Sequence, residues 1–129
     1  MKLDLKKLKL RKVNETLQSI DPKRNNKNYT ILNPEGNHAI CAGLTDDIDI
    51  TVKGHVGYYC GGMNQNANIT VEGNVGTGVA ENMMSGKIHV KGNASQSAGA
   101  TAHGWLLIID GDASSRCGIS MKGVDIVVK

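Results

Sequence analysis

Phenylalanine is absent from this 129-residue chain, and Trp105 and three tyrosines are its only aromatics. A core assembled around large aromatic anchors is thereby excluded, and the interior falls to Val, Ile, Leu, Ala and other small side chains. No apolar run approaches the roughly 18 residues of a membrane helix, and the charged N-terminus is not followed by a signal-peptide core. Three cysteines, an odd number without dense spacing, exclude a disulfide framework and agree with a reducing compartment. These absences point to a soluble, cytoplasmic protein.

What the chain has instead is 16 glycines and 40% hydrophobic residues, enough for one domain with a narrow, layered interior. Its charge is lopsided. Residues 1–28 carry nine Lys or Arg against three acids, whereas residues 29–129 carry six against nine, so a basic head precedes a mildly acidic body. The head lacks the stacking aromatics or the motif that nucleic-acid binding would need, and it reads as a solvated or partner-facing surface.

Gly54, Gly73, Gly92 and Gly111 recur every 19 residues. The segments they open read GHVGYYCGGMNQNANITVE, GNVGTGVAENMMSGKIHVK, GNASQSAGATAHGWLLIID and GDASSRCGISMKGVDIVVK, and a fifth, imperfect copy, EGNHAICAGLTDDIDITVK, precedes them. A fixed short period implies stacked identical units, none able to bury its own apolar face. Nineteen residues are too few for two helices, but a β-branched strand with glycine corners suits one coil of a β-helix, its strands stacked about 4.8 Å apart in parallel sheets. The column Ile50, Ile69, Ile88, Leu107, Ile126 and the column Val52, Val71, Val90, Ile109, Val128 should both face inward. Between them Thr51, Thr70 and His89 face out before the column turns apolar at Ile108 and Val127. The closing column, Lys53, Glu72, Lys91, Asp110, Lys129, alternates charge and would pin the register. A left-handed helix would require an aliphatic residue every six positions, which these lines lack, so the right-handed form is expected.

In the head, residues 1–28, Leu10, Val13, Leu17 and Ile20 stand at helical spacing and Asp21-Pro22 closes the segment. A short amphipathic helix there would cap the open end of a β-helix of about five coils spanning residues 29–129. Lys129 falls on the last position of a coil, which suggests either a truncated piece or an end covered by another subunit. An exposed parallel edge also allows a homo-oligomer.

Chemistry is sparse. GNVGTG superficially resembles a dinucleotide fingerprint, but no helix follows and the spacing recurs as coil corners. His38, His55, His89 and His103 fall in different columns and are expected at the surface or at corners, not around a metal. Cys60 and Cys117 share a column three coils apart, too far for a disulfide, whereas Cys41 could lie beneath Cys60 as a second small buried residue. Ser95, Ser97, Ser114 and Ser115 read as turn residues without a matched base. No catalytic, cofactor-binding or metal-binding residue is assigned. The loops MNQN, NMMS, TAHG and SMKG vary most, and Met83, Met84, Met121 and Trp105 near them form the candidate partner surface.

The phrases "GHVGYYCGGMNQNANITVEGNVGTGVAENMMSGKIHVKGNASQSAGA" and "GDASSRCGISMKGVDIVV" resemble the glycine-repeat (GXGXG) domain of the glutamate synthase family. The likeness is strongest to the stand-alone subunit of archaeal-type glutamate synthase and of N-methylglutamate synthase, and more distant to one subunit of formylmethanofuran dehydrogenase. It runs from about residue 30 to the end. Gly104-Trp105 stands where that family usually carries Gly-Gly, and the family domain continues for further coils. The resemblance implies a right-handed β-helix that is not itself catalytic and that joins flavin-binding and glutamine-amidotransferase-type partners. FMN and an iron-sulfur cluster would then belong to those partners, with no cofactor in this chain. Two rivals stand beside it: a β-helical enzyme binding an extended polymer, disfavoured by the alternating charge columns, and a self-assembling solenoid.

Overall fold

The computed structural model describes residues 2–18, 28–45, 47–94, 98–99, 106–111 and 125–128. Seven strands, β1 (Lys2–Asp4), β2 (Asn28–Leu32), β3 (Asp49–Lys53), β4 (Asn68–Val71), β5 (Lys87–Val90), β6 (Leu106–Ile109) and β7 (Asp125–Val128), pair in chain order as one all-parallel sheet. From β3 to β7 each strand pairs with the residue 19 positions on, as in Ile50 with Ile69, Ile69 with Ile88 and Ile88 with Leu107. The expected β-helix architecture and its period are therefore present, as four successive 19-residue turns.

The two inward columns pack as expected over β3 to β6, where Ile50, Ile69, Ile88, Leu107, Val52, Val71, Val90 and Ile109 are all buried. Val128 departs from expectation at 46% exposed, because among the described residues β7 has a partner strand on the β6 side alone. In the charge column Lys53 reaches Glu72 at 3.5 Å. Asp110 takes His89 instead, Nε2 to Oδ1 at 2.9 Å, and Lys91 forms no ion pair among the described residues.

Two rungs of the stack lie off the 19-residue ruler, one in the basic head and one at the start of the expected β-helix. The residues KLD at the start of the head are β1, with Leu3 buried, and NYTIL is β2. Their spacing hides them: β2 pairs with β3 at an offset of 21 residues, and β1 with β2 at 28, the longer connection holding the helix α1 (Leu10–Gln18). Val13 and Leu17 of α1 are fully buried, while Ile20 and Asp21-Pro22 lie outside the described residues. A nine-residue helix with Arg11 and Lys12 in its first turn, against the dipole, would not stand alone in water. Burial of Val13 and Leu17, about 1.5–3 kcal/mol each, holds it in place.

The sequence suggests parallel sheets in the plural, but among the described residues one face of the coil is β and the opposite side is stacked turn. There the backbone alternates, with positive φ at Tyr59, Gly61 and Met63 and again at Gly78, Ala80 and Asn82. Such alternation still offers its amides to the neighbouring coils, as in Tyr59 N–H to the Thr77 carbonyl at 2.8 Å and Ala80 N–H to the Cys60 carbonyl at 2.9 Å. The sequence signal for this side is faint because non-glycine residues hold many of the positive-φ positions.

At the corner before the turn side, successive backbones touch. A Cβ on Gly73 would stand 2.6 Å from the carbonyl of Gly54, and one on Gly76 would stand 2.7 Å from the carbonyl carbon of Gly57. Gly73→Ala is therefore expected to lower unfolding free energy by about 3 kcal/mol, because the obstacle is backbone that cannot rotate away. Gly36→Ala, at φ 74° with nothing among the described residues within 4 Å of the added carbon, should lose only about 1 kcal/mol. Urea denaturation of both variants decides the matter, and equal losses would mean that the contact between coils is not limiting.

Candidate functional site

The side chains that project from the turn side and the corners are the sequence's candidates for recognition. Of the four proposed partner-surface residues, Met84 is 50% exposed, but Met83 is fully buried and belongs to the core. The alternation of the backbone there turns consecutive side chains to opposite sides. Trp105 and Met121 lie outside the described residues. Two further residues are exposed there: Met63 at 51%, in the loop MNQN of the expected partner face though not itself singled out, and Tyr58 at 55%, which sequence reasoning misses. Met84 N–H donates to the Asn64 carbonyl at 2.8 Å, which places Met63 and Met84 on successive coils beside one buried asparagine.

Asn64 fastens this corner. Its Nδ2 donates to the carbonyls of Ala67 (2.8 Å) and Ser85 (3.1 Å), while its Oδ1 is buried with no partner among the described residues. Gly86, at φ 94°, must be glycine there, since a Cβ would collide with the Ala67 carbonyl and stand 2.7 Å from Asn64 Nδ2. The 19-residue ruler carries the signal for Asn64: it stands in the column of Met83, and both are interior.

The histidines are indeed corner and outer-face residues where described, and His103 lies outside the described set. His38 Nδ1 accepts from Tyr58 N–H at 3.0 Å and its ring stacks on Tyr58 with centroids 3.8 Å apart. His55 Nδ1 accepts from Asn74 N–H at 2.8 Å, and Asn74 Oδ1 in turn accepts from Asn93 N–H at 2.8 Å. Imidazole and carboxamide serve one purpose here, a side-chain acceptor for an amide of the next coil, and the bond requires the Nε2–H tautomer of both rings.

Cys41 and Cys60 are free and fully buried. Burial pushes the Cys60 thiol up to about 12. Cys41 is also raised well above the ordinary value, by burial first and by neighbouring Cys60 second. Neutral thiols in an apolar interior are poor nucleophiles, which agrees with a packing role. Cys117 and Ser95, Ser97, Ser114 and Ser115 lie outside the described residues.

On the outer side of the sheet an open cleft of about 420 Å³ is lined by Asp47, Asn66, Asn68, Gly86, Lys87 and Leu106, and it adjoins one of about 340 Å³ over Thr51 and Thr70. Among the described residues neither lining holds a histidine or cysteine to pair with a nucleophile. Among the described residues no three His, Cys, Asp or Glu converge as a metal set, and no helix is long and apolar enough to cross a membrane.

Over 57 residues the chain is 52% identical to Protein GlxC of Rhizobium meliloti (strain 1021). Those residues are 44% of this chain and 25% of that protein, so the chain spans about a quarter of the length of the curated relative it matches. No family model and no solved structure matches the chain.

Two measurements test the corner and the thiols. His55→Asn, which installs the residue used one coil on, should leave stability within about 0.5 kcal/mol of wild type, whereas His55→Leu should cost about 1 kcal/mol by orphaning the Asn74 amide. Equal losses would show that the acceptor is unimportant. The buried thiols stay protonated in the folded chain at a pH where the unfolded chain ionises them, near 9.0. Unfolding therefore releases protons there, and stability should fall as pH rises from about 9 toward 12. Iodoacetamide should modify Cys41 and Cys60 in denaturant but not in the native chain, as peptide mapping would show.

Proposed function

We propose that this chain is a non-catalytic structural β-helix, a subunit or domain of a glutamate-synthase-type oxidoreductase serving glutamate biosynthesis in the cytoplasm. It positions an amidotransferase part, where glutamine is hydrolysed, relative to a flavin and iron-sulfur part, where the ammonia is used. One observation carries the reading. The glycines within the phrases that resemble the glutamate synthase glycine-repeat domain are those the backbone contacts demand, Gly73 against Gly54 and Gly76 against Gly57. The motif thus reads as a stacking device rather than a catalytic loop. The 57-residue likeness to Protein GlxC, a quarter of that protein, supports a repeat module set within longer assemblies. N-methylglutamate synthase and formylmethanofuran dehydrogenase are the alternative settings for the same module.

A pull-down of the tagged chain from its native extract, scored by flavin absorbance and by identification of the bound proteins, tests this. Co-purification of a flavoprotein and an amidotransferase is expected. A chain that emerges without either at native salt would overturn the scaffold role and favour a self-assembling solenoid.

A further inference from the structure

Among the described residues no coil lies beneath the turn side of the first coil, yet its backbone groups there are occupied. Further along, each such amide bonds to the coil before it: Gly61 N–H to the Ile40 carbonyl at 3.0 Å, Ala80 to Cys60 at 2.9 Å, Gly99 to Val79 at 2.8 Å. On the first coil the corresponding amide is that of Cys41, and it donates to Asn14 Oδ1 at 2.9 Å. Asn14 Nδ2 returns a bond to the Ala39 carbonyl at 2.8 Å, and Gln18 Nε2 donates to the Ala42 carbonyl at 2.8 Å. One carboxamide therefore offers the first coil both the C=O and the N–H of a peptide unit. Asn14 and Gln18, four residues apart, lie on one face of α1. The buried neighbours Val13 and Leu17 press that face down.

The strand side of the same end is treated differently. β1 has three residues where the strands behind it have four or five, and its first residue, Lys2, is exposed. Asp4 is engaged by Asn33 Nδ2 (2.8 Å) and by Lys6 N–H (2.9 Å), and these bonds hold its carboxyl below the ordinary value. Lys2, Lys7, Lys9 and Lys12 are exposed and form no ion pair among the described residues. A short, lysine-bearing edge is a known obstacle to strand addition.

We propose that β1 and α1 form a guard that keeps this end of the stack from joining the same end of a second copy of this chain. The occupant excluded is a second copy because the groups covered are those of one coil awaiting another of equal pitch, and a two-fold arrangement sets first coil against first coil. Asn14 and Gln18 deny that copy its hydrogen bonds, and the unpaired lysines of the two heads would face each other. The inference does not depend on the proposed oxidoreductase role.

The full-length double variant Asn14→Ala/Gln18→Ala tests it, through mass by sedimentation over about a hundredfold range of concentration and through hydrogen exchange at Cys41 and Val71. In the wild type the Cys41 amide should be protected and the mass independent of concentration. In dilute variant the Cys41 amide should exchange about tenfold faster, for one lost hydrogen bond, while Val71 stays protected. At high concentration the mass should double relative to wild type and Cys41 protection return. A folded variant with a fast Cys41 amide and wild-type mass throughout would overturn the guard, as would an unprotected Cys41 in the wild type. Should the double variant lose Val71 protection, Gln18→Ala alone, which keeps both Asn14 bonds, is expected to double in mass at the highest concentrations only. An unchanged mass there overturns the proposal equally.

Discussion

Everything in this molecule depends on backbone meeting backbone at the glycine corner. Gly92 N–H reaches the Gly73 carbonyl at 3.1 Å and Gly111 N–H reaches that of Gly92 at 3.0 Å, and a side chain at any of these positions would occupy the same space. Contact that close leaves the path length of a coil no freedom, since an inserted residue would carry every following strand out of register. A period of 2 along each strand then turns that displacement into exposure of the Ile and Val columns. Constant length is thus a packing requirement, and the 19-residue period in the sequence is its trace.

A constant coil also explains the aliphatic core. Identical rungs stack like on like, so interior positions must accept the same side-chain volume above and below, as Ile50, Ile69 and Ile88 do. A large ring at one rung would force its neighbours apart, and the close packing of interiors gives little slack for that. Tyr29 is the one aromatic residue in the described core, and it lies on β2, where the coil takes 21 residues instead of 19. The larger ring and the longer coil occur together at the end of the stack, where only one regular neighbour has to be matched.

The same rule decides what is legible in the sequence. The inward columns over β3 to β6 can be read because side-chain type repeats wherever backbone geometry repeats. β1 and β2 cannot, since offsets of 28 and 21 residues place them off the ruler although they pair like the rest. Met83 and Met84 read together as surface because adjacent apolar residues in a loop look alike, and the alternation of φ that separates them leaves no mark when Ala80 and Asn82 hold positions that glycine would have advertised. The helix is legible through Val13 and Leu17, but the work of Asn14 and Gln18 is not, because a polar residue on an amphipathic helix is indistinguishable in sequence from a solvated one.

That use of polar side chains bears on function. His38, His55, Asn74, Asn14, Gln18 and Asn64 all make hydrogen bonds to main-chain groups. Residue types that in a pocket would suggest catalysis or metal binding here replace bonds that a turn cannot make for itself. An atom bonded to a backbone group here cannot leave it without loosening the stack, so chemistry and architecture compete for the same atoms. What remains for recognition is what the stack does not consume, namely Tyr58, Met63 and Met84 on one side and the charged rows on the other. In the proposed scaffold, those are the groups offered to a partner protein.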